Sequence, residues 1–276
     1  MSITKRTELH EESVATVYRR LLADTTDAVY VVGSSVADLK QLIAELSSTA
    51  EPPVCMLAAD RTWRAATEDF RVAGTAAELV AAGVLSPRAT DGPADGPLVI
   101  TDSVVASIVP AGERVAGLTT ADEAFVADVR ERYADAWTDA EPFVLGVPPL
   151  SRIRATLAAE LGPGLRADFD AALAAETVRR RDDLDETALV LLLAARNKVL
   201  LYDLVRWGED VGFASRATFS RIKTRFEAAG LLDTEKVPID VGRPRLRLLL
   251  GDERLRGVEP GALVGVARTL LSAHEA

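Results

Sequence analysis

The sequence predicts two folded regions: an α/β domain in the N-terminal half and a C-terminal winged helix-turn-helix domain. Three observations carry this reading. Short continuous apolar runs such as VYVV and VCMLAA alternate with helical patterns over the first half, the layout of a sheet layered with helices. Between Asp185 and Gly230 three capped helical patterns follow one another, and two short strand patterns come after them. Basic residues gather in that same late region, although the whole chain has a net charge of -10. At 276 residues the chain is long enough for two cores.

The N-terminal domain is expected over 1–147. A helix over about Leu9 to Leu22 precedes the strand AVYVVGSS, and the helix VADLKQLIAELSS leads to the strand PVCMLAAD. Helical spacing returns in RTWRAATEDFRV and TAAELVAAG. The loop ATDGPADGP, rich in Gly and Pro, separates these from the strands LVITDS, VVASIVP and ERVAGL and from the helix ADEAFVADVRERYADAW. Trp137 and Phe125 lie on that last helix and are expected in the core. The one cysteine, Cys55, sits within an apolar run and is expected to be a buried, inert thiol.

Residues 148–183 read as a helical connector broken at Gly162-Pro163-Gly164, suited to dimerisation. The winged helix-turn-helix domain is expected over 184–250. Asp185 is a cap for the first helix, a break falls near Asn197, and the second helix runs over about Val199 to Val211. After Gly212, Ser215 caps a third helix that ends near Ala229 with Gly230 as its C-cap. Phe219, Ile222, Phe226 and Ala229 recur at spacings of three and four and face inward. Two strands, about Thr234 to Asp240 and Arg245 to Leu250, join through the turn VGRP. Tyr202 and Trp207 are expected to pack inside this domain. Residues 251–276 hold an amphipathic helix with Leu263, Val266, Leu270 and Leu271 at helical spacing, fit to close the core or to pair with a second copy.

Charge separates the two halves. From Arg196 to Arg247 there are 11 basic and seven acidic residues, a balance of +4, which leaves -14 for the remainder. Lysine is scarce, five against 27 arginines, in a chain with 42 acids. Acid excess with scarce lysine resembles proteins of salt-loving archaea, in which net charge maintains solubility; the alternative source of the arginine and alanine is a high-GC genome. No apolar run is long enough to span a bilayer and the start has no apolar h-region, so a cytoplasmic location away from membranes is expected.

The candidate DNA-binding residues are Arg216, Ala217, Ser220, Arg221, Lys223, Thr224 and Arg225 on the third helix, with Arg243 and Arg245 at the hairpin tip. A third helix of this kind fits the major groove of double-stranded DNA, and hairpin arginines reach phosphates or the adjacent minor groove. The alternative is a winged-helix module that binds another protein, leaving an ordinary solvated helix face. In the N-terminal domain, Gly33, Ser34 and Ser35 lie where the first strand meets a helix, and Arg61 and Arg64 follow the second strand. Together they are candidate ligands for a small anion such as a phosphorylated sugar; the competing reading makes Ser35 a helix cap and the arginines surface charge. The only histidines are His10 and His274, and no nucleophile-elbow or P-loop pattern occurs. No catalysis, cofactor or metal is therefore expected.

Two resemblances rest on these segments. LVITDSVVASIVPAGERVAG with the following ADEAFVADVRERYADAW resembles the end of the effector domain of TrmB-type archaeal sugar-responsive regulators. That implies a phospholipase-D-like fold without catalytic residues. The order of α/β domain, connector and winged helix in an acidic chain, with SRATFSRIKTRFEAAGLL, resembles the haloarchaeal TbsP family. The resemblance implies a transcriptional regulator linked to central carbon metabolism, with sugar metabolism suggested by the TrmB likeness. A homodimer is expected because the operators of winged-helix regulators are two-fold repeats. TrmB places its DNA-binding domain first, so none of its ligand residues is carried over.

Overall fold

The computed structural model describes residues 8–11, 14–23, 25–46, 52–90, 96–111, 114–175, 178, 180, 184–238 and 244–275. They form two compact units, one of residues 1–68 and 75–146 and one of residues 69–74 and 147–276.

In the first unit the order is β1 (Glu8–Glu11), α1 (Val14–Ala23), β2 (Val29–Val32), α2 (Val36–Leu46), β3 (Val54–Ala59) and α3 (Asp60–Ala66). There follow α4 (Phe70–Ala81), β4 (Leu85–Thr90), β5 (Leu98–Ile100), β6 (Val105–Ala111), β7 (Arg114–Thr120), α5 (Glu123–Asp139) and β8 (Glu141–Pro142). The first residues of α4 cluster with the second unit. All eight strands join one mixed sheet in the order β1-β7-β6-β5-β2-β3-β4-β8. The centre, β2-β3-β4, is parallel, with Val29 opposite Val54 and Val54 opposite Leu85. The pairs on either side are antiparallel.

Parallel strands must be covered on both faces, and burial follows that demand. Val32, Leu57 and Ile100 pack with Val126 and Tyr133 of α5. Their alternating neighbours Val29, Val31, Val54 and Met56 are also buried. Cys55 lies buried at this centre, and burial pushes its thiol pKa up, which keeps it a poor nucleophile. Two expectations change here, and one segment without an assignment from sequence becomes a strand. The start of the first predicted helix is β1, which pairs along β7 and covers that sheet edge. The segment after α4 is strand β4. Phe125 is not core: its position on α5 faces away from Val126 and Tyr133, and it is 50 % exposed.

The second unit continues with α6 (Leu150–Thr156), a π-helical turn over Leu157–Leu161, α7 (Pro163–Ala175), α8 (Glu186–Arg196), α9 (Leu201–Val211) and α10 (Arg216–Ala228). The hairpin β9 (Leu232–Val237) and β10 (Arg245–Leu250) precedes α11 (Glu253–Arg256) and α12 (Pro260–Glu275). The helix α8 is apolar all round, and every residue from Thr187 to Ala195 is buried, as suits the central helix of a small helical core. Asp185 caps it, accepting from Thr187 N and Ala188 N at 3.0 and 2.8 Å. Leu150, Ile153, Leu157, Leu165 and Phe169 share this core with α8, so the helices read as a connector pack around it. Leu263, Leu270 and Leu271 of α12 are buried in the same core and so close it within one chain. Fully buried Trp207 packs against Phe213 with the rings tilted by 42° and donates from Nε1 to Thr156 Oγ1 at 2.9 Å.

Candidate nucleic-acid interface

The interface begins with the geometry of α9 and α10. Gly212 adopts the left-handed conformation (φ 77°) that ends α9, and glycine is the residue best suited to it. Ser215 then caps α10, its hydroxyl accepting from Thr218 N at 3.2 Å. Phe219, Ile222 and Phe226 are buried on one side of α10. The side opposite, at about 100° per residue, carries Ala217, Ser220, Arg221 and Thr224, all exposed. Arg221 forms no ion pair among the described residues, and its guanidinium is open to solvent. Thr224 turns its hydroxyl back to Ser220 O at 3.0 Å, leaving its methyl outward.

The other candidates on α10 differ. Arg216 is exposed at the helix start but leans on Glu209, 3.5 Å away, while its own N–H donates to the same carboxylate at 3.2 Å. Lys223 is only 15 % exposed along its side chain and pairs with Glu227 at 2.6 Å. Arg225 is half-buried with its guanidinium 5.5 Å over the Phe226 ring. Positions 223 and 225 flank the buried stripe, which explains their partial burial. The open face is therefore narrower than the run of basic residues suggests.

The hairpin forms a wing beside this helix, with Arg245 opposite Val237 and Leu250 opposite Leu232. Arg243 lies outside the described residues. Arg245 lies 4.2 Å over the ring of Tyr202 and 3.4 Å from Asp203. A cation over a ring face is held by the ring's negative quadrupole. Tyr202, expected inside, is 47 % exposed and serves as the platform for Arg245. Arg247 is tied to Glu235, its cross-strand neighbour, at 3.3 Å. Between α9, α10 and the wing lies a groove of about 540 Å³ lined by Tyr202, Val205, Arg216, Ser220, Pro244 and Leu246. It offers apolar walls to a sugar ring and cationic groups at its rim to phosphates. Neither Tyr202, read from sequence as core, nor Pro244 was expected to line a groove. The signal available for Tyr202 was its place at the start of α9, two residues before the buried Leu204.

At the other candidate site, Gly33 has φ 70° and donates to Leu57 O at 3.2 Å. Ser34 is buried against Tyr18, hydroxyl to hydroxyl at 3.4 Å. Ser35 caps α2: its Oγ accepts from Asp38 N and donates to Asp38 Oδ2 at 2.7 Å, and its N–H donates to the same carboxylate. This is a reciprocal capping box, and it places a carboxylate where an anion would sit. Arg61 is exposed and Arg64 is paired with Asp60 at 2.5 Å. Burial pushes the Tyr18 phenol up to about 12.

Three helices with an exposed basic third helix and an adjoining wing define a winged helix-turn-helix DNA-binding domain, here joined to a mixed α/β domain. The chain belongs to the family described as transcriptional regulator TbsP-like. The family's N-terminal domain matches residues 6–148 and its C-terminal helix-turn-helix domain matches residues 149–268. The protein is thus a transcriptional regulator with a helix-turn-helix DNA-binding domain. Among solved structures, it is similar to TrmBL2, an archaeal chromatin protein described as showing a novel mode of DNA binding. The identity is 15%, the match covers 51% of this chain and 54% of that one, and the TM-score is 0.36. The chain therefore spans about half the length of TrmBL2. It is also similar to Nuc, a phospholipase D family member from Salmonella typhimurium, at 13% identity over 50% of this chain and 99% of that one, with a TM-score of 0.34. No curated protein matches the sequence significantly. No helix among the described residues is long and apolar enough to cross a membrane.

Proposed function

We propose that the protein is a sequence-specific regulator that reads double-stranded DNA with the Ala217, Ser220, Arg221 and Thr224 face of α10. The wing, through Arg243 and Arg245, positions the domain on the backbone. The observation that supports this most is the exposed face of α10, open and basic at Arg221, beside a wing whose Arg245 is held in place by Tyr202 and Asp203. Arginine is the commonest reader of guanine edges, and a pre-positioned cation suits a phosphate. The working form is a homodimer, since operators read by such domains are two-fold repeats. The genes controlled belong to central carbon metabolism, as the TbsP resemblance implies, in the cytoplasm of a salt-loving archaeon. The role is not catalytic: the two histidines fall one on β1 and one in the last turn of α12, and a phospholipase-D-like reaction needs histidine nucleophiles.

The test is selection of genomic fragments by the full-length protein, followed by footprinting. Protected half-sites about 10 bp apart support the reading. Failure to select any sequence, at any salt, points instead to a winged helix that binds protein.

A further inference from the structure

The second unit holds another cavity, of about 660 Å³, that DNA reading leaves unused. Asp168 of α7, Arg196, Asn197 and Lys198 at the α8–α9 junction, and Arg256 of α11 line it, with the end of β10. It shares no lining residue with the wing groove. The two lie at opposite ends of β10, one at Leu249 and Leu250 and the other at Arg245 and Leu246. At roughly 3.3 Å per strand residue these ends are about 13 Å apart.

The lining carries three cations and one carboxylate. Asp168 is already engaged by Arg196 Nε at 3.2 Å and by Asn197 Nδ2 at 2.7 Å. The remaining anchors are neutral. Arg196 Nη1 donates to Val258 O, and Arg256 donates from Nε and Nη2 to the carbonyls of Leu250 and Gly251, each at 3.2 Å. Carbonyls fix a guanidinium without cancelling its charge, so the arginines are held ready with donors to spare. The amine of Lys198 has no partner among the described residues. Its backbone is left-handed at φ 55°, which no other described residue except glycine adopts. Glycine would make that turn with less strain, yet the position carries a long cationic side chain beside the cavity.

We propose that this cavity binds a small phosphorylated metabolite, its phosphate taken by Lys198, Arg256 and the outer edge of Arg196. The volume is in the range of small-molecule sites, and a dianion would balance the surplus of two positive charges. A DNA phosphate has the same chemistry, but the concave shape and the distance from the wing tip favour a free ligand. An occupant would also brace the base of the wing, because Leu248 N donates to Val199 O at 2.9 Å just beyond Lys198. Any resulting change in DNA affinity rests on the DNA-binding reading; the binding itself does not.

The test is calorimetric titration of the full-length chain with inorganic phosphate at constant ionic strength in KCl, without DNA. Saturable binding is expected. Lys198→Gly should weaken it at least about tenfold, since a hydrogen bond to a charged group is lost. Its melting temperature without phosphate should hold or rise, because the turn is relieved. Arg256→Gln should weaken binding similarly, and Arg221→Ala should leave it unchanged. The proposal is overturned if the wild type fails to bind phosphate over chloride, or if Lys198→Gly binds it as well as the wild type does. It is also overturned if Lys198→Gly weakens DNA binding in phosphate-free buffer, which would make the cluster a backbone contact.

Discussion

Gly208→Ala tests how tightly the recognition helix is set against its neighbour. Gly208 lies inside α9, and a Cβ there would overlap Cε2 of Phe219, lie 2.9 Å from its Cζ and 3.3 Å from Ala214 O. Carbon atoms prefer about 3.5–4.0 Å, so the ring must retreat by roughly 1 Å. Phe219 is fully buried, and it can retreat only by carrying α10 with it. Against this, alanine improves helix propensity by about 1 kcal/mol, while overpacking costs about 1–3 kcal/mol. The expected net loss of stability is about 1 kcal/mol, read by urea denaturation. Every charge is retained, so affinity for random DNA should change by less than about twofold while operator affinity falls about tenfold, because base contacts are more sensitive to placement than phosphate contacts. Adding Phe219→Leu should restore part of both losses, with a coupling of about 0.5–3 kcal/mol. A Gly208→Ala protein that is more stable and binds its operator normally would refute the close packing of α9 and α10.

Three other outcomes are expected. The Tyr18 phenol ionises near 10 in the unfolded chain and at about 12 when folded, so the unfolded state loses its proton first and stability falls as pH rises through that window. Two pH units correspond to roughly 2–3 kcal/mol; denaturation of Tyr18→Phe should lack that part of the fall, and identical pH profiles would count against the buried phenol. Replacing Arg243 and Arg245 together by Ala should weaken binding to all sequences with the order of preference intact, as selection on a random library would show; a changed consensus would give the wing a part in specificity. Operator affinity should survive to about 1 M KCl, where the Debye length is roughly 3 Å and distant repulsion from the acidic remainder is screened; a steep loss to undetectable binding would sink the salt-loving reading.

The helical half was the more legible because its signals are local. Gly212, Ser215 and the Phe219, Ile222, Phe226 stripe state the recognition helix within the segment from Gly212 to Phe226, and all three appear as read. The strand β4 was hidden. LSPRAT lacks alternation and contains Pro87, yet it pairs with β3 along its whole length. Pro87 accepts from Phe143 N at 3.0 Å through its carbonyl, so its missing donor faces the outer side, where β8 pairs with only two residues. In the candidate sites, exposure was overestimated wherever charge alone was counted. Lys223 finds Glu227 one turn along its own helix, a spacing visible in sequence. Ser35 and Asp38 likewise show the capping-box spacing that the geometry realises. The Arg245–Tyr202 stack joins positions 43 residues apart, and no local pattern announces it.

The central claim is that Arg221, open on α10 and engaged with no other side chain among the described residues, reads a base. The direct measurement is the affinity of wild type and Arg221→Ala for the footprinted operator and for random duplex, at one fixed salt concentration. Loss of one bidentate base contact is worth about 1–3 kcal/mol, or roughly 5- to 150-fold on the operator, while removal of one charge should cost random DNA only a few-fold. Folding should be unaffected, as the exposed side chain supports nothing inside. Equal losses on both duplexes would reduce Arg221 to a phosphate contact, and no loss on either would contradict the assignment of α10 as the reading helix.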